Sequence, residues 1–172
     1  MNIIQSTIVA LLFITMCNPL YANRHLDGQT AQKLEIRHSM MGFRNTLLFY
    51  TFKGQQAILQ LSIANNDESF PVTAKIHLFD KKTTEKGLKK WINNQHSDGR
   101  YPNIPTPIFT HVLPSDSCTV TSHKQTGTTQ NPGPGGGTFK NFAVTLSIKA
   151  IDTEEKFKLA AFTDTAQVHV KK

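Results

Sequence analysis

Hydrophobic and polar residues alternate along most of this chain with a period of two, and in one place the period lengthens to that of a helix. Val72, Ala74, Ile76 and Leu78 alternate with Thr73, Lys75, His77 and Phe79, the pattern of a strand with one face in a core. Past Asp80 the spacing changes. Leu88, Trp91 and Ile92 fall at i, i+3 and i+4 and so share one side of a short helix. At about 100° per residue, Lys82, Lys86, Lys89 and Lys90 fall on the opposite side. The chain's single tryptophan thus points into a core while a lysine cluster faces outward.

The same reading extends in both directions. Asn23 to Gln32 is polar and is expected to be a loose leader. Leu34 and Ile36, spaced by Glu35 and Arg37, suggest a short edge strand. Thr46 to Phe52 is apolar on both faces, which suits a strand buried on both sides. Ala57 to Ala64 alternates again, and the turn at Lys53-Gly54-Gln55 makes the two an antiparallel hairpin. His96 to Pro107 is rich in proline and reads as extended backbone. Strand pattern resumes at Ile108 to Leu113, with Phe109, His111 and Leu113 on one face, and again at Cys118 to Ser122. Residues 125–138 (QTGTTQNPGPGGGT) have no apolar side chain beyond two prolines and read as a flexible loop. Phe142 to Ala150 is the cleanest alternation in the chain. Phe157 to Phe162 and Ala166 to Val170 add two more strands.

These elements predict an all-β fold: an antiparallel β-sandwich of about eight strands, Ig-like or Greek-key in style, with one short helix. A small β-barrel is the alternative.

Ile8 to Met16 is apolar but too short to span a bilayer as a helix. With Leu20-Tyr21-Ala22 after it, residues 1–22 read as a signal peptide cut after Ala22. The expected product is a single domain, residues 23–172, exported to the periplasm or the exterior, a bacterial exporter being favoured by the lack of an N-x-[ST] sequon. No transmembrane segment is expected after cleavage. Residues 1–22 hold no Asp, Glu, Lys or Arg, so the formal net charge of +7 belongs to that domain. Cys17 leaves with the signal and Cys118 stands alone, which excludes an internal disulfide and makes a buried thiol the expectation.

The chain has no G-x-S-x-G, no H-E-x-x-H, no P-loop and no C-x-x-C, and nothing in it calls for a cofactor. The basic surface is the stronger signal. Lys82, Lys86, Lys89 and Lys90, with Arg100 and Tyr101 on the following loop, form a candidate ligand-binding face. An anionic surface, a glycan or an acidic protein could dock there. Nucleic acid is not expected, because no aromatic stacking platform accompanies the lysines. The leading expectation is a non-enzymatic binding or interaction protein. Two others compete with it: a metal-assisted hydrolase centred on His96, Asp98 and His111, and a structural assembly subunit built by strand exchange.

Overall fold

The structure is a computed structural model that describes residues 24–26, 29–37, 45–51, 56–64, 68–95, 102–131, 136–153 and 158–172, with the backbone alone for 24–26, 29–37 and 131. The expected signal segment, residues 1–22, lies outside them.

Parity along the central strands sets the architecture. β1 (Arg24–Leu26), β2 (Gln29–Arg37), β3 (Asn45–Thr51), β4 (Ala57–Ile63), β5 (Val72–Leu78) and β6 (Phe109–Val112) form one antiparallel sheet in chain order. β7 (Cys118–Asn131), β8 (Gly137–Ile148) and β11 (Phe162–Lys171) form a second sheet, ordered β11-β8-β7. β9 (Ile151–Asp152) and β10 (Lys158–Leu159) make a small pair between them in sequence. The odd-numbered residues Leu47, Phe49, Leu59, Leu61 and Ile63 join the even-numbered Val72, Ala74, Ile76 and Leu78 in one core with Phe142, Val144, Leu146 and Ile148. That is the face-to-face packing of two sheets. The opposite parity, Leu48, Tyr50 and Ile58, forms a second core with Leu88, Trp91 and Ile92 of the helix α1 (Glu85–Asn94). The order of layers is therefore helix, six-stranded sheet, three-stranded sheet. β3 is buried on both faces, as its doubly apolar sequence requires.

The all-β sandwich with one short helix holds. Eleven strands are described, and the eight with four residues or more match the expected number. The connectivity does not follow a Greek key. The large sheet is a plain meander in which every strand pairs with its neighbours in sequence. The supposed leader is also structured, since Arg24 to Leu26 pairs with Gln29 to Ala31, at the start of the strand read as an edge. The closing region holds one long strand, β11, and the two-residue β10, where two similar strands were expected.

The largest correction concerns residues 125–138. β7 runs on through Asn131 and stays paired with β8 to Asn131↔Gly137, so the connection is confined to the residues between those two. Two shifts of register, at Val120/Ser122 and Gln125/Gly127, each place one extra residue in β7. Both extras are threonines. Thr121 donates its hydroxyl to Thr145 O (3.3 Å) and Thr126 to Asn141 O (3.3 Å), so the displaced segments remain tied to β8.

Candidate functional site

The basic surface is built on a turn and a helix that the sheet holds rigidly. Asp80 Oδ1 accepts from the Lys82 amide (2.7 Å) and Asp80 O from the Thr83 amide (2.8 Å), which folds the chain sharply after β5. Thr84 caps α1, its hydroxyl accepting from the Gly87 amide at 3.1 Å. Lys82 therefore belongs to the turn before the helix and not to the helix face itself. Lys81, Lys82 and Lys86 are exposed, and among the described residues no carboxylate pairs with them.

Lys89 is committed elsewhere. It pairs with Glu85 one turn back (2.6 Å) and lies over the Tyr50 ring, 6.0 Å from its centroid. The Tyr50 hydroxyl donates to the same Glu85 oxygen at 3.2 Å. The hydrogen bond from Lys89 holds the Glu85 carboxyl below its ordinary range, and the same bond raises the Lys89 ammonium. Burial pushes the Tyr50 phenol up. The cluster fastens the first turn of α1 to β3. Lys90 is half-buried. Arg100 and Tyr101 lie outside the described residues.

Beneath the helix is a polar group that periodicity did not single out. His77 is 7% exposed, on the helix-facing side of β5. Its Nε2 lies 2.9 Å from Gln60 Oε1 and its Nδ1 3.0 Å from Thr110 Oγ1. The amide oxygen can only accept, so Nε2 carries the proton and Nδ1 accepts from the threonine. Trp91 packs over the imidazole with ring centroids 4.7 Å apart and meets Phe79 edge-on at 5.5 Å. Burial first, and then the charge of Lys75, lowers the His77 pKa to about 4. A neutral, doubly hydrogen-bonded histidine of this kind specifies packing.

The proposed metal constellation is not assembled by the described residues. His96 and Asp98 lie outside them. His111 sits exposed on β6, stacked against Phe109 at 5.9 Å. Among the described residues no three His, Cys, Asp or Glu side chains converge as a metal site would need. Cys118 is 2% exposed in the core between the sheets, and burial pushes its thiol up to about 11. A thiol so far from ionising is a poor nucleophile.

Where β6 begins, a cleft of about 560 Å³ opens between Leu78, Phe79, Ile108 and Phe109, and Lys81 and Lys82 line it as well. It lies in the size range of ligand pockets. Its signal in the sequence is faint, because Ile108 and Lys82 are far apart along the chain and only the β5–β6 pairing joins them. Among the described residues no helix is long and apolar enough to cross a membrane. No family model, curated protein or solved structure matches this chain.

Proposed function

We propose that this chain is an exported, non-enzymatic binding module that holds an anionic partner or surface against the turn and helix from Asp80 to Lys90. One observation carries the reading: Lys81, Lys82 and Lys86 are exposed and unpaired by carboxylates among the described residues, on a support anchored by Trp91. An unneutralised group of lysines attracts anions over about a Debye length, and a rigid support lowers the ordering cost of capture. The apolar run from Ile8 to Met16 supports export. Lys89 contributes mainly by fastening the helix, and the hydrolase reading draws no specific support from His111 on its own.

The test is retention on heparin resin and on phosphatidylglycerol vesicles across a salt series. Wild-type protein is expected to bind and to release as salt rises. The triple variant Lys81→Glu, Lys82→Glu, Lys86→Glu is expected to lose at least tenfold in affinity with its unfolding midpoint nearly unchanged. Equal binding by the triple variant, or no binding by wild type, would sink the proposal.

A further inference from the structure

The large sheet ends in an edge that no described residue pairs. β6 bonds to β5 on one side and is the last strand in the order. Leu113 N–H donates to Ala74 O at 2.9 Å, which fixes the alternation along the strand. The backbone groups of Leu113 and His111 face β5, and those of Thr110 and Val112 face away from the sheet; at the start of the strand Ile108 N–H also donates to Leu78 O, opposite Phe109, at 2.8 Å, so the alternation holds from Thr110 onward. Such a row is a template for another strand unless a lysine, a proline or a bulge guards it. The sequence Phe109-Thr110-His111-Val112 has none of these, and Pro107 and Pro114 stand outside its ends.

Two further observations fall on the same edge. Ile108 and Val112, 69% and 60% exposed, are the exposed large hydrophobic side chains among the described residues, and they bracket the strand. Lysines also stand at both of its ends: exposed Lys75 lies opposite Val112, and Lys81 and Lys82 line the cleft beside Ile108. An added strand would therefore meet apolar contacts at Ile108 and Val112 and net positive charge at each end, Lys81 and Lys82 outweighing Asp80 in the same cleft.

We infer that β6 accepts an extended acidic peptide from another protein as an added strand, with an apolar side chain in the cleft beside Ile108 and carboxylates reaching Lys75 at one end and Lys81 and Lys82 at the other. The inference deepens the anionic-partner reading and rests on it for the charge, though not for the strand. Charge also decides against a second copy of this chain as the occupant. Antiparallel pairing of two β6 edges would set the lysines of one molecule against those of the other. In the peptide, main-chain hydrogen bonds to Thr110 and Val112 supply affinity, and the side chains at the ends supply selectivity.

The experiment uses the full chain, labelled with nitrogen-15 and titrated with a short capped peptide alternating glutamate and valine. Saturable shifts at the Thr110 and Val112 amides, with slowed hydrogen exchange there, are expected. Val112→Pro removes one outward donor while sparing the bonds to β5, a substitution that edge strands tolerate. It should weaken peptide binding at least tenfold and leave heparin retention as it was. Ile108→Gln alters a surface side chain only and should weaken the peptide several-fold, which keeps the test open if the proline variant does not fold. Shifts confined to the lysine amides, with Ile108→Gln binding as wild type, would overturn the added strand. So would dodecanoate reproducing the same shifts without exchange protection, or a dimer that protects Thr110 and Val112 without peptide. Heparin retention without peptide binding defeats this inference alone. Peptide binding without retention on heparin or vesicles defeats the broader reading alone.

Discussion

His77 connects three parts of the molecule through one ring: Gln60 on β4, Thr110 on β6 and Trp91 on α1. Its lowered pKa makes stability depend on pH in a definite direction. The unfolded chain takes up a proton near pH 6.5, whereas the folded state refuses it until about pH 4. Stability is therefore expected to fall as pH drops through that window, by on the order of 3 kcal/mol, and to be unaffected by this residue above it. Urea unfolding of wild type and of His77→Gln at several pH values checks this. The variant should lose that part of the slope, and parallel curves would show that folding leaves the His77 pKa at its unfolded value. Trp91 carries the other large term at this scale. Trp91→Ala empties the site over His77 and Phe79 and should cost about 3–5 kcal/mol in chemical denaturation.

At the scale of the element, β7 is the strand whose behaviour departs furthest from its composition. Residues 125–131 hold only polar residues and glycine, yet they continue the ladder with β8 to Asn131↔Gly137. Strand pairing there comes from the backbone and from hydroxyl and amide bonds, including Asn141 Nδ2 to Thr129 Oγ1 at 2.8 Å. Asn141 Oδ1 also lies 2.7 Å from His169 Nδ1, which carries the polar row from β7 across to β11. Amides of this segment that bond to β8 should exchange with deuterium far more slowly than a free loop does, with protection close to that of residues 118–124. Exchange at unprotected rates from Gln125 onward would return the segment to the loop that its composition suggests.

At the scale of the whole molecule, the two sheets share a core and Cys118 sits within it, so its thiol reports on the separation of the layers. Ellman's reagent should leave Cys118 unlabelled in the native protein, since its thiol is both covered and held far from ionisation. Labelling should appear with the denaturant transition seen by circular dichroism. Prompt labelling of Cys118 in native buffer would mean that the layers part without global unfolding. The same layering explains where recognition falls. The second sheet covers the inner face of β3, β4 and β5, and α1 covers the outer face of β3 and β4, which leaves the lysine turn and the outer side of β6 accessible among the described residues.

How much of this could be read from residues alone depends on whether the physics is local. Period-two alternation in β4, β5 and β8, and the i, i+3, i+4 spacing of Leu88, Trp91 and Ile92, are set by backbone geometry, so those elements and the faces they bury are legible in the residues, as is β3, whose continuous apolar run marks a strand buried on both sides. The lysine cluster is legible too, because charge density is a property of neighbours in the chain. The continuation of β7 past Ser122 is hidden because each inserted threonine reverses the phase of alternation, so no single period runs through Cys118 to Asn131. Side-chain pairing could not be read either. Lys89 appeared equivalent to Lys86 until the fold brought Tyr50 up to the Glu85–Lys89 pair. The burial of His77, the cleft shared by Lys82 and Ile108, and the β6 edge that no described residue pairs come from tertiary structure alone, because each depends on which strand lies beside which.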